Sequence, residues 1–79
     1  MASATERGAE LVSFIAKGLV DDVEAVAVRI GGDGRTLELE TAPDDRGRVI
    51  GRQGRVAKAI RALLQQSAGG ASLRLDIVD

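Results

Sequence analysis

The chain has 79 residues, with 11 basic and 12 acidic side chains, no Cys, no His and one aromatic residue, Phe14. That length suits one small domain with a modest core. The missing Cys excludes disulfides and thiolate metal sites, and the missing His removes the commonest general base and the commonest metal ligand. No apolar run approaches the ~18 residues of a membrane span, and the polar Met1–Glu10 stretch does not read as a signal peptide. The expected setting is therefore a reducing cytoplasm, with no membrane association and no cofactor.

Met1–Thr5 reads as a flexible N-terminal tail, with Ser3 or Thr5 available as an N-cap, and residues 6–79 as a single domain. From Glu6 to about Val20, Leu11, Phe14 or Ile15, and Leu19 recur at helical spacing, and Gly18 with Asp21-Asp22 marks the end. Phe14 is expected in the core. Ala25–Ile30 alternates, with Val26, Val28 and Ile30 on one face, as in a half-buried strand. Gly31-Gly32-Asp33-Gly34 is a turn signal, and Thr36–Thr41 alternates again with Leu37 and Leu39 inward, giving a hairpin.

Pro43 suits a first helical position, with Asp44 and Asp45 in the first turn, and a short helix should run to Ile50 and stop at Gly51. A second helix is expected from about Arg55 to Ala68. Val56, Ala59, Ile60, Leu63 and Leu64 form its apolar stripe, opposite Arg55, Lys58 and Arg61. Ser72–Val78 closes the domain as a third strand, with Leu73, Leu75 and Ile77 inward. A helical crossover joins strands two and three, which should therefore be parallel. The order α-β-β-α-α-β predicts an α+β, two-layer domain with a three-stranded mixed sheet and helices on one face.

The most informative segment is Val49-Ile50-Gly51-Arg52-Gln53-Gly54-Arg55. The two glycines allow positive φ and close backbone approach, and the first turn of the following helix favours anions. A Walker A loop needs four residues between its glycines and a following Lys-Ser/Thr, and a dinucleotide fingerprint needs G-x-G-x-x-G; neither spacing is met. Charge strengthens the reading. Arg46, Arg48, Arg52, Arg55, Lys58 and Arg61 place six positive and no negative charges between positions 46 and 61, whereas the whole chain is at −1. A local patch sets the field that a ligand meets within a Debye length of ~8–10 Å. The fitting ligand is a sugar–phosphate backbone.

These residues carry a resemblance. The run Pro43–Ser67 resembles the core of a KH domain: an aliphatic pair, Gly-x-x-Gly, then an amphipathic helix. The element order is similar to the type II arrangement. The phrases Leu11-Val12-Ser13-Phe14-Ile15, Pro43 to Gly54 and Ala57-Lys58-Ala59-Ile60-Arg61 resemble the small single-KH bacterial RNA-binding proteins of the KhpA type. The resemblance covers about residues 9–79. It implies a single-stranded RNA binder whose Gly51-Arg52-Gln53-Gly54 loop clamps about four backbone nucleotides, beside an apolar groove. It also implies a role as RNA chaperone or post-transcriptional regulator, and a homodimer or a heterodimer with a second KH protein.

The RNA-binding candidates are accordingly Val49, Ile50, Gly51, Arg52, Gln53, Gly54, Arg55 and Lys58. Of the aliphatic pair, at least one should serve the core, with Ile50 lining the groove and Val49 packed inward. Arg61 lies farther along the helix, and Arg46 and Arg48 could pair with Asp44 and Asp45 instead. The strand facing the loop is expected near Leu39–Thr41. Without Tyr or Trp, aromatic stacking platforms are missing. The alternative is a protein–protein adaptor whose basic patch meets an acidic partner. Catalysis is not expected: Ser13, Ser67 and Ser72 have no His partner, and Asp44-Asp45 suits helix capping better than acid–base or metal chemistry.

Overall fold

Ser3 sets the start of the first helix. In a computed structural model, which describes residues 3–67 and 73–78, its hydroxyl accepts from the Glu6 N–H at 3.1 Å while Glu6 Oε1 accepts from the Ser3 N–H at 3.0 Å. This capping box satisfies two otherwise orphaned donors, and α1 runs Ala4–Leu19. The expected tail through Thr5 is thus too long: Ala4 and Thr5 are helical, and Met1 and Ala2 lie outside the described residues.

The buried seam of α1 is Gly8, Val12 and Ala16, spaced four apart, rather than the larger residues picked out by sequence. Small side chains let the helix approach its neighbours closely. A Cβ on Gly8 would lie 2.7 Å from Leu73 Cδ1 and 3.0 Å from Leu64 Cδ1. Phe14 sits two positions past Val12, about 200° around the helix, and is 79% exposed. The expectation that it belongs to the core is therefore corrected.

A 3₁₀ turn at Val23–Ala25 leads into β1 (Ala27–Ile30), shorter than the predicted strand, and β2 spans Thr36–Glu40. The two are antiparallel, with Val28 opposite Leu39. Asp33 ties their turn: Oδ1 accepts from the Arg35 and Thr36 N–H groups, both at 2.9 Å. β3 (Arg74–Ile77) lies parallel to β2, with Leu37 opposite Leu75. The strand order is β1-β2-β3, so β2 is central. Ser72, predicted in the last strand, and Ala68, predicted at the end of the last helix, lie outside the described residues.

Between β2 and β3 come a 3₁₀ turn at Pro43–Asp45, α2 (Arg46–Ile50), a turn at Arg52–Gly54, and α3 (Arg55–Ser67). α3 buries Ala57, Ile60 and Leu64. Ala59 is exposed and Leu63 is 47% exposed, so the stripe is rotated from the predicted one. One core forms between the helices and one sheet face, from Val12, Ala16, Leu37, Leu39, Val49, Ile60, Leu64, Leu73 and Leu75. Ile30, on edge strand β1, is 44% exposed.

A five-residue α2 is too short to hold itself; Asp45 secures its start. This side chain does not cap the helix. It turns back instead to accept from the Asp21 and Asp22 N–H groups at 3.2 and 3.0 Å, and it pairs with Arg48, which also bridges Asp21 at 2.9 Å. Asp45 is 2% exposed. The N–H groups of Asp22 and Asp21, with Arg48 adding, hold its carboxyl below the usual carboxylate range although burial opposes them. A depressed folded value means that this contribution is present above the unfolded carboxylate pKa of about 4 and lost as pH falls through the folded value. Asp45→Asn should therefore destabilise the domain at pH 7. Urea unfolding of both proteins should show that gap narrowing below about pH 4; equal stability at pH 7 would remove Asp45 as the anchor.

Candidate functional site

The turn between α2 and α3 is built by positive φ angles. The Gly51 N–H donates to the Gly47 carbonyl at 2.8 Å, ending α2. Gly51 itself takes φ 77°, ψ 169°, a region that is essentially glycine-only. Its backbone lies against Val56: a Cβ there would stand 2.8 Å from both the Val56 nitrogen and Cβ, and closer still to Cγ2. Gln53 (φ 57°, ψ 25°) and Gly54 (φ 74°) follow in the left-handed region. The Gly54 N–H donates to the Gly51 carbonyl at 3.1 Å and the Arg55 N–H to the Arg52 carbonyl. The loop is thus a closed turn with the Arg52 and Gln53 side chains exposed on its outside.

Val49 and Ile50 part company here. Val49 has 0% exposure and belongs to the core, so its side chain meets no ligand in this arrangement. Ile50 is half-buried and lines an open groove of about 540 Å³. One wall of this groove is Ile50, Gly54, Ala57 and Arg61; the other is Asp76, Ile77 and Val78 at the end of β3. The strand facing the loop is therefore β3 and not Leu39–Thr41. Leu39 is fully buried and Thr41 nearly so, because β2 is the central strand and β3 the edge. Sequence reading missed Ala57 and the Asp76–Val78 segment. No local signal marks them: Ala57 is a small residue on α3, and the end of β3 reaches the groove through tertiary packing.

The six cations of the basic segment do not act alike. Arg48 is committed to Asp45 and Asp21, which push its pKa up. Arg61 donates from Nε and Nη2 to the Leu75 carbonyl at 3.3 and 3.1 Å. Arg46 is half-buried. Arg52, Arg55 and Lys58 are exposed, and Arg55 makes only a long contact of 3.4 Å to Gln53 Oε1. These three are the exposed cations of the loop and the first turn of α3, whereas Arg61 is the cation that lines the groove itself. Asp76 gives the strand side the opposite sign. Among the described residues no group of acidic side chains could hold a metal ion, and no helix is long and apolar enough to cross a membrane.

An α-β-β-α-α-β domain whose Gly-x-x-Gly turn joins two helices beside the edge of a mixed sheet is a KH domain of the type II arrangement. A family model described as "KhpA/KhpB, KH domain" matches residues 9–78, and the chain belongs to that family. It is similar to "RNA-binding protein KhpA" of Leifsonia xyli, at 45% identity over 74 residues that cover 90% of this chain and 96% of that protein. The protein of the same name from Clostridium perfringens is 51% identical over 61 residues, covering 75% and 81%. That of Mycobacterium leprae is 43% identical over 72 residues, covering 89% of each. No solved structure gives a significant match.

The two loop glycines should respond differently to a methyl group. At Gly51 an alanine meets the Val56 backbone and a glycine-only conformation together, which should cost about 2–5 kcal/mol from strain and overpacking. At Gly54 nothing lies within 4 Å of an added Cβ, so only the left-handed φ is charged, about 1–2 kcal/mol. Thermal unfolding of Gly51→Ala and Gly54→Ala should separate them by several degrees; equal midpoints would mean that the Gly51–Val56 contact does not hold the turn.

Proposed function

We propose that this protein binds single-stranded RNA, with the Gly51-Arg52-Gln53-Gly54 loop gripping the sugar–phosphate backbone and the groove beside it accepting bases. The observation that carries this reading is the sidedness of the groove. Arg52, Arg55 and Lys58 are exposed in and just after the loop, and we take them as its cationic rim; Ile50, Ala57 and Arg61 line one wall of the groove and Asp76, Ile77 and Val78 the other. Phosphates are attracted to the cationic rim and repelled by Asp76, so the bases turn inward towards β3. A paired helix keeps its bases stacked and its phosphates in fixed rows, and does not fit a short groove of this kind. The name "RNA-binding protein" carried by the relatives points the same way.

Three phosphate-facing cations give one domain weak, sequence-tolerant binding. A role as a general RNA chaperone or post-transcriptional regulator in the cytoplasm follows from such tolerance. Linking two domains would raise affinity without new contacts, which fits association with a second copy or with another KH protein.

Arg52→Asp with Gln53→Asp places two negative charges where phosphate should sit and leaves both glycines in place. Binding to a single-stranded oligomer of about six to ten nucleotides, scaled from the four-nucleotide KH clamp, should fall to background while the unfolding midpoint moves little. In the unaltered protein that oligomer should outcompete a hairpin of the same composition, with the largest amide shifts at residues 51–58 and 76–78. Full binding by the folded double variant would remove the loop from the mechanism. Preference for an acidic protein over RNA would make the domain an adaptor.

Lys58→Ala tests the rim separately. It should weaken binding by a similar factor on unrelated RNA sequences and reduce the log–log salt slope by about 0.7, one single-strand phosphate contact. An effect confined to one RNA sequence would mean that Lys58 reads bases.

A further inference from the structure

Arg61 stands apart from the other cations along α3. Both Nε and Nη2 point to one acceptor, the Leu75 carbonyl. Two donors on one edge of a planar guanidinium, meeting a single oxygen, fix the plane as well as the position of the group. Its residue is nonetheless exposed. It also borders two neighbouring depressions along the α3–β3 seam: the groove beside the loop, and a second of about 320 Å³ that reaches Gln65 and Leu73. Gln65 repeats the device one turn later, donating to the Leu73 carbonyl at 2.8 Å. A phosphate-seeking arginine gains from mobility and from its free fork; Arg61 has spent one edge of the fork on the protein itself. What it leaves to a ligand in the groove is a flat, charged face.

We infer that Arg61 is a base-stacking residue: its anchored guanidinium plane takes the face of a nucleobase at the end of the groove away from the loop, and it is not a phosphate contact. Guanidinium planes serve this purpose in single-strand recognition, and the cation attracts the π-face of any base. The remainder of the groove offers no competing platform, since the chain's only aromatic, Phe14, lies on α1 and does not line it. Stacking on Arg61 would add affinity without strong base preference. The inference rests on the single-strand reading above and assigns one wall of that site.

The test combines a conservative variant with an abasic scan. Arg61→Lys keeps the charge but loses the plane and the two-bond anchor. Its affinity for a six-nucleotide RNA should fall about fivefold or more, the lower end of a base-stacking contribution, while the salt slope stays unchanged. With the wild type, removing the base at one position should weaken binding by a similar factor; with Arg61→Lys that position should become indifferent. Wild-type affinity in Arg61→Lys, a lowered salt slope, or the same abasic penalty in both proteins would overturn the assignment. The wild type alone supplies a check that needs no variant to fold: RNA should move the Arg61 Nε–H proton resonance upfield through the ring current, and the RNA abasic at that position should not. A downfield shift produced by both RNAs would mark a phosphate contact and overturn it. If the wild type binds none of these RNAs, the single-strand reading fails first, and this inference with it.

Discussion

The backbone of Gly51 lies so close to Val56 that no side chain fits between them, and the geometry of the whole site descends from that contact. It fixes the end of α2 against the start of α3. At the other end of α2, buried Asp45 clamps the helix to the backbone that follows α1. A helix of one and a half turns cannot persist on its own hydrogen bonds, so these two attachments hold it. With both ends fixed, the rotation of α2 is determined: Val49 turns into the core and Ile50 towards the groove. One residue along, the loop begins.

Charge is sorted by partner more than by position. The total of −1 gives no hint of an anion site, and even the local excess in the segment 46–61 overstates what a ligand meets. Arg48 is consumed by the clamp on Asp45, whereas Arg61 is held by the Leu75 carbonyl and keeps its charge at the groove wall. The exposed cations of the loop and the first turn of α3 are Arg52, Arg55 and Lys58, the last two one helical turn apart. Asp76 across the groove supplies contrast.

The element order and strand pairing were legible because they depend on strong local signals. Alternation marked Leu37 and Leu39, the glycine cluster marked the hairpin, and the obligatory crossover made β2 and β3 parallel. The helix faces were less legible. Hydrophobicity favours Phe14 and Leu63 as core residues, yet α1 buries Gly8, Val12 and Ala16, and α3 buries Ala57 beside the expected Ile60 and Leu64. Close packing between layers selects small side chains at the seam, and small residues carry almost no periodic hydrophobic signal. The Ser3–Glu6 capping box was readable by its spacing and gives the true helix start. At the site, the sequence locates the loop but not the wall opposite. That wall is the end of β3 beside Ile50 and Ala57, a tertiary placement that strand pairing alone does not give.

The two glycines of the loop exist for different reasons. Gly51 is explained by the fold alone: packing against Val56 and its backbone angles both demand it. Gly54 is under no such packing demand, since the space around its missing Cβ is empty. Its positive φ accounts for part of the preference, but Gln53 next to it adopts a similar φ with a full side chain, so the backbone angle does not by itself require glycine. What distinguishes the two positions is that Gly54 lines the groove and Gln53 does not. Bare backbone at Gly54 keeps that wall low beside the cationic rim. The polar Gln53 side chain is exposed on its left-handed backbone. Neighbouring residues of like conformation thus differ in what they present: Gly54 bare backbone at the groove, Gln53 an exposed polar side chain.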